Sequence, residues 1–182
     1  MTAKEFSDQL KEIYTEMHAY AKHLLTDLKP EVYTWKPEGV RARSIESYFR
    51  HLVNSEEYWL YALKKQKLSY LLKEATYQDM LQKFDDLEKV YVELLTNSST
   101  KDLEIRPTIY IEKNKGLELE IKQEGSLSWS VLRITLHALE HLGQITAIMY
   151  SLEARGDPDP VHNWMNFTEK IINIGKLVSL DS

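Results

Sequence analysis

Apolar residues recur at intervals of three and four along three stretches in the first hundred residues of the chain. This spacing places apolar side chains on one face of a helix, so it predicts helices that pack around a shared core. Each stretch begins at a serine or threonine that can cap a helix, and in two of them an acidic residue follows three positions later, as in a capping box. We therefore expect three helices: Thr2 to about Leu28, Ser44 to about Lys65, and Thr76 to the break at Asn97.

Two segments between these helices show other patterns. Residues 30–43 contain prolines and a glycine at 39, which predicts an irregular connection. From Leu103 to Ile121 the apolar period changes to two, which predicts a β-hairpin with its turn at 114–116. Pro107 indicates that the first arm is an edge strand or is broken at that point.

A long and nearly uninterrupted apolar run follows, beginning after Ser126 or Ser128 and continuing to about Arg155. Polar residues interrupt it often enough that it suits a buried bundle helix better than a membrane span. The amphipathic segment from Val161 to Val178 predicts a C-terminal helix. We therefore expect one all-α domain over residues 1–182, a four-helix bundle with a β-hairpin before helix four, in which the connections leave the order of the helices open.

Composition narrows the function further. The 182 residues carry a net charge of −5 with no run of basic residues, which argues against nucleic acid as a partner. The chain contains no cysteine, so a disulfide, a thiolate ligand and a cysteine nucleophile are all excluded. The charged, amphipathic N-terminus differs from a signal peptide, and together with the lack of a predicted membrane span it predicts a cytoplasmic protein.

The fourth helix carries the main candidate chemistry, because His137 and His141 lie one turn apart on the same face. His51 lies about 21 Å from the C-terminal end of its helix, and His141 about 20 Å from the start of the fourth helix. If these two helices are antiparallel with matched ends, the three imidazoles meet. Three protein ligands leave a coordination position open, as in a catalytic zinc site, although imidazole also suits nickel, iron and copper.

A structural role for these histidines stays open at this point, because an isolated pair on an apolar helix is often a hydrogen-bonded part of the core. For His18, His23 and His162 we expect that structural role, since none has a partner at ligand spacing. The tryptophans Trp59, Trp129 and Trp164 are predicted to belong to the core. Candidate residues for orienting the imidazoles are Glu56, Glu140 and Gln144, and candidate general bases are Glu56, Glu57 and Glu140.

Three segments resemble the DinB-like superfamily, which is also described as the YfiT-like metal-dependent hydrolases. They are YTWKPEG at 33–39, the histidine-bearing SIESYFRHLVNSEEYWL at 44–60, and LHALEHLGQI at 136–145, where a glycine-glutamine pair follows the second histidine. The resemblance implies a down-up-up-down bundle with the second and fourth helices antiparallel. It also implies that His51, His137 and His141 bind a divalent metal, for which we favour zinc or nickel.

The resemblance further implies a small-molecule substrate and an external low-molecular-weight thiol, because some relatives are bacillithiol S-transferases or mycothiol-dependent maleylpyruvate isomerases. We therefore expect a thiol-dependent transferase or a hydrolase that forms a homodimer. The alternative is a non-catalytic, stress-related bundle that acts as a ligand- or protein-interaction module. One departure favours that alternative: the family often has arginine after the second histidine, where this chain has Leu142.

Overall fold

A computed structural model describes residues 2–26, 28–39, 42–63, 75–113 and 118–152 of the chain. The described residues form an all-α bundle of six helices with one two-stranded hairpin. In chain order the elements are α1 (Ala3–Leu25), α2 (Pro30–Thr34), α3 (Ile45–Ala62), α4 (Tyr77–Thr96), α5 (Thr100–Leu103), β1 (Ile109–Lys113), β2 (Glu118–Gln123) and α6 (Leu127–Ser151). None of the described helices is both long and apolar enough to cross a membrane.

The helix starts follow from capping chemistry that is visible in the sequence. Thr2 and Thr76 each accept a hydrogen bond from the backbone N–H three residues later, and the acidic side chain at that position bonds back to the cap. Ser44 and Ser126 cap α3 and α6 through their hydroxyl groups. These side chains satisfy backbone N–H groups that have no partner inside the helix, so the predicted starts of the four long helices are confirmed.

Contacts between side chains establish that α1 and α4 run in opposite directions. The Ser7 hydroxyl near the start of α1 donates a hydrogen bond to the carbonyl of Leu95 at the end of α4. At the other end, the Tyr77 hydroxyl donates to the carbonyl of Leu25. The two helices therefore pack along their full length.

Helix α3 runs parallel to α4 and antiparallel to α6. Phe49 packs edge-on against Phe84, and further along both helices the Tyr91 hydroxyl donates to the Glu56 carbonyl. On the other side of α3, Tyr48 lies level with His141, and contacts later in α3 meet earlier residues of α6. The directions agree with the down-up-up-down order that the family resemblance implies.

The connection between α1 and α3 differs from the sequence-based expectation, because α1 ends at Leu25 and residues 30–34 form the short helix α2. Thr26 and Lys29 both have extended backbones, and this conformation is expected at Lys29 because it precedes Pro30. Pro30 then begins α2, where its missing N–H is not needed. The buried Tyr33 packs edge-on against Tyr77, and this tertiary contact favours a helical turn where the local pattern predicts a loop.

The hairpin is confirmed, but its first arm begins later than predicted. Residues 100–103 form the helix α5, which Ser99 and Asp102 cap in a further capping box. Strand β1 begins only at Ile109, after Pro107, and pairs antiparallel with β2 from Ile109 opposite Gln123 to Lys113 opposite Glu118. The predicted turn at 114–116 and the predicted C-terminal helix at 161–178 lie outside the described residues.

Close packing at Gly125 joins the hairpin to α6. The Gly125 N–H donates a hydrogen bond to Thr108 Oγ1, and the neighbouring Ser126 N–H donates to the carbonyl of Arg106. A methyl group on Gly125 would overlap Thr108 Oγ1 and lie 2.9 Å from Cδ1 of Trp129. The absence of a side chain at position 125 is therefore required by this packing.

Gly125→Ala is predicted to lower the free energy of unfolding by about 1–3 kcal/mol, because the added methyl group overpacks this junction. The matched control is Gly143→Ala in α6, where an added methyl group meets no atom within 4 Å. There the substitution should be neutral or should stabilise by up to about 1 kcal/mol, since alanine favours helix over glycine. Urea unfolding of both variants measures the difference, and equal effects would contradict the packing argument.

Candidate metal centre

Three histidines on two helices converge at the α3–α6 interface. His51 lies in the second turn of α3, and His137 and His141 lie one turn apart near the middle of α6. Nε2 of His137 is 3.2 Å from Nε2 of His51 and 3.0 Å from Nε2 of His141. One ring nitrogen from each histidine lies within 4.8 Å of the other two, so the cluster could hold a metal ion.

The spacing of these nitrogens agrees with that of a tetrahedral metal site. Zinc–nitrogen bonds of 2.0–2.1 Å at tetrahedral angles place two ligand nitrogens about 3.3 Å apart, close to both observed separations. Hydrogen bonding alone accounts for this arrangement less well. A neutral imidazole nitrogen carries either one proton or one lone pair, whereas His137 Nε2 faces two nitrogens at once. The donor set therefore fits a divalent cation bound by three neutral imidazoles.

Gln144 orients the His141 ring. Its amide oxygen lies 2.6 Å from Nδ1 of His141, and because a carbonyl oxygen only accepts, Nδ1–H is the donor. The lone pair of His141 then resides on Nε2, the nitrogen that faces His51 and His137. The ring of Tyr48 packs 5.3 Å from the same imidazole. Of the three candidates for orienting the imidazoles, the structure places Gln144 in this role.

The surroundings favour the neutral, metal-binding form of two of the histidines. Burial, together with the nearby charges of His141, His51 and Arg133, lowers the pKa of His137 to about 4. Burial also lowers the pKa of His51, and the charges of His141 and Arg43 act in the same direction. Both rings are therefore unprotonated near neutral pH, which is the state that a metal ligand requires.

An open cleft reaches the cluster along α3 and α6. Its volume is about 520 Å³, and its lining is formed by His51, Asn54, Ser55, Tyr58, Trp59, Arg133 and His137. His141 is not among the lining residues, and only 8% of its surface is exposed. The centre thus has a buried side and a side open to small molecules, as catalytic metal sites require.

The candidate general bases are engaged elsewhere or exposed. Glu56 is buried and accepts hydrogen bonds from Tyr14 and His18, so it belongs to the α1 side of α3. Glu57 forms a buried ion pair with Lys83 of α4. Glu140 lies on the exposed face of α6. Neither Glu56 nor Glu57 is therefore available to the histidine cluster in this arrangement.

The remaining histidines are not part of the cluster. His18 is fully buried and bonded to Glu56, which confirms the structural role expected for it. His23 lies exposed in the last turn of α1. Of the tryptophans predicted to be core, Trp59 is buried and also lines the cleft, and Trp129 packs against the core. His162 and Trp164 lie outside the described residues.

Sequence reasoning missed the polar residues of the cleft, of which Arg133 is the most informative. Arg133 interrupts the apolar run of α6 and precedes His137 by four residues, so it shares the face of α6 that carries His137. Asn54, Ser55 and Tyr58 follow His51 at three, four and seven residues, which is the same face of α3. Helical spacing from the histidines was therefore a signal that could have identified them.

Leu142, the departure from the family pattern, is fully buried in the core. Its side chain contributes to packing and does not line the cleft.

Comparison with known proteins agrees with this arrangement. Residues 13–145 match the family model described as the DinB superfamily, a span that contains α3 and most of α6 with all three clustered histidines. No curated protein of significant sequence similarity was found.

Proposed function

The chain belongs to the DinB superfamily, and we propose that it is a metal-dependent enzyme, either a thiol-dependent transferase or a hydrolase, that acts on a small molecule. In this proposal His51, His137 and His141 bind a divalent ion, zinc or nickel. The observation that carries the proposal is the convergence of three imidazole nitrogens beside an open cleft. A bound divalent ion would supply a lowered pKa to a coordinated thiol or water, so that a nucleophile is available near neutral pH.

The protein's own residues supply position and access. Gln144 holds the His141 ring in one orientation, and burial keeps His51 and His137 unprotonated. The cleft has the volume of a small-molecule site, and Trp59 with Tyr58 gives it an aromatic wall. The down-up-up-down bundle holds α3 and α6 side by side, so that the site rests on two rigid helices.

Metal-dependent turnover is the test of this proposal. We expect untagged protein to retain about one divalent ion per chain, and zinc- or nickel-loaded protein to accelerate transfer of a small thiol to monobromobimane or hydrolysis of an activated ester. His51→Ala should reduce this turnover by more than about 100-fold, since the loss of one ligand disrupts the open site. The matched control is His23→Ala, which removes an exposed histidine from α1 and should leave turnover unchanged.

Two outcomes of this experiment would count against a metal-dependent enzyme. Turnover that survives both chelation and His51→Ala would contradict a role for the metal in catalysis. Stoichiometric metal without turnover for any thiol or ester would favour the non-catalytic bundle, in which the metal only stabilises the fold.

A further inference from the structure

The cleft carries a cation that the proposed metal chemistry does not use. Arg133 lies on the cleft wall, one helical turn before His137, and its side chain is exposed. Within the described part of the chain, no carboxylate lies at ion-pair distance from its guanidinium. Two other arginines differ in this respect: Arg50 pairs with Glu46, and Arg106 pairs with Glu104.

We propose that Arg133 binds an anionic group of the small-molecule ligand, so that the cleft selects compounds with a carboxylate or a similar anion beside their reactive atom. This inference rests on the proposed function for the identity of the reactive end. A guanidinium group presents parallel N–H donors that match the two oxygens of a carboxylate. Asn54 and Ser55 on the facing helix α3 add polar groups to the same cleft.

Helix geometry sets the size of the ligand. Arg133 and His137 are four residues apart, which corresponds to about 6 Å along the axis of α6. A ligand that contacts both Arg133 and the histidine cluster therefore has its anionic group about four or five bonds from the atom directed at the histidines. Tyr58 and Trp59 also line the cleft and would contact the carbon skeleton of the ligand.

A second arginine provides the sharpest control. Arg43 lies 6.0 Å from the centre of the Tyr48 ring, and its charge also acts on His51, but it does not line the cleft. A diffuse attraction by positive charge would involve Arg43 as much as Arg133. A built anion subsite would depend on Arg133 alone.

The first experiment uses metal-free protein at pH 8, where the His51 and His137 imidazoles are neutral. Fluorine NMR measures binding of 4-fluorobenzoate and of the neutral 4-fluorobenzamide, which has nearly the same shape. We expect wild type to prefer the carboxylate by about two- to fivefold, as one accessible ion pair provides. Arg133→Gln should abolish the preference and Arg133→Lys should retain part of it. Arg43→Gln and Lys89→Gln should both retain it, the latter being a remote loss of one charge on α4.

The second experiment links the anion subsite to the histidines. Cobalt(II)-loaded protein is titrated with 4-mercaptobutyrate and 4-mercaptobutan-1-ol, and binding is followed by the thiolate-to-cobalt absorption band. In proteins that keep Arg133, and only in those, the acid should bind about two- to fivefold more tightly than the alcohol.

The outcomes distinguish this inference from the function on which it rests. No preference for 4-fluorobenzoate in wild type, or a preference that survives Arg133→Gln, would overturn the anion subsite. A preference that appears with the fluorobenzoate but not with the mercapto acid on cobalt would overturn the claim that one ligand spans both groups. Failure to retain cobalt would refute the metal site itself, while the first experiment still decides the role of Arg133.

Discussion

Replacing His137 with alanine is expected to weaken divalent metal binding by more than about 100-fold. Nε2 of His137 lies 3.2 Å from Nε2 of His51 and 3.0 Å from Nε2 of His141. The substitution therefore removes the nitrogen that lies close to both of the others. Loss of residues that merely orient a ligand already costs 10- to 100-fold in affinity, and loss of the ligand itself should exceed that. Competition with a fluorescent chelator measures the affinity directly.

Thermal unfolding provides a second readout of the same prediction. Metal at 100 times its dissociation constant stabilises a folded protein by about 2.7 kcal/mol, so wild type should melt at a higher temperature when zinc or nickel is present. His137→Ala should show no such increase, whereas its melting temperature without metal should stay near that of wild type because the ring is half-exposed. His23→Ala is the control and should respond as wild type does. Equal affinity of His137→Ala and wild type would rule out the proposed centre.

Replacing Glu56 with alanine is expected to lower the free energy of unfolding by about 3–5 kcal/mol. Glu56 is 1% exposed, and its Oε2 accepts hydrogen bonds from the Tyr14 hydroxyl at 2.7 Å and from Nε2 of His18 at 3.1 Å. Both of these partners are fully buried and would lose the acceptor that they share. A buried polar group without a partner costs its full desolvation, and here two such groups are left.

The surroundings of Glu56 explain why this site should be sensitive. Burial and the nearby Glu56 carboxylate raise the pKa of Tyr14 well above its ordinary value, so the phenol stays protonated and donates. The His18 ring stacks 3.8 Å from Phe84, and its Nδ1 lies 3.6 Å from Oε2 of Glu88. The network therefore joins α1, α3 and α4 in the centre of the bundle.

Two further variants test this account by urea unfolding. Glu56→Gln keeps an oxygen that can accept from Tyr14, so it should cost less than alanine. Glu93→Ala removes an exposed carboxylate from α4 and should change stability by less than about 0.5 kcal/mol. If Glu56→Ala were as stable as Glu93→Ala, the buried network would not be a source of stability.

Local chemistry accounts for the parts of the fold that the sequence predicts well. The starts of α1, α3, α4 and α6 depend on a capping side chain and a backbone N–H three residues away, which are both visible in the sequence. The helices α2 and α5 were missed for different reasons. The turn at α2 depends on Tyr33 packing against Tyr77, which is a contact between distant residues. The capping pair of α5, Ser99 with Asp102, is present in the sequence, although the polar residues that begin at Asn97 predict only a break there.

The candidate site likewise has a part that local spacing predicts and a part that depends on contacts between helices. Spacing along one helix identifies His137 with His141, because side chains four residues apart on a helix share a face. His51 belongs to the cluster only if α3 and α6 are antiparallel and His51 lies level with the histidines of α6. The family resemblance implied this arrangement, and the structure bears it out. The sequence could not show which candidate general base lies near the histidine cluster. Whether Glu56 contacts His18 or His51 depends on how α3 is rotated between the neighbouring helices.

By itself, then, the sequence determined the four long helices, their caps, the hairpin and the histidine pair on α6. All of these depend on interactions within a few residues, whose geometry is set by the helical or extended backbone. Tertiary structure established that His51 completes the cluster, as the resemblance had implied, and it alone decided that Glu56 faces Tyr14 and His18 and that Arg133 lines an open cleft. Those relations join side chains from different helices, and the packing of the bundle sets which faces meet.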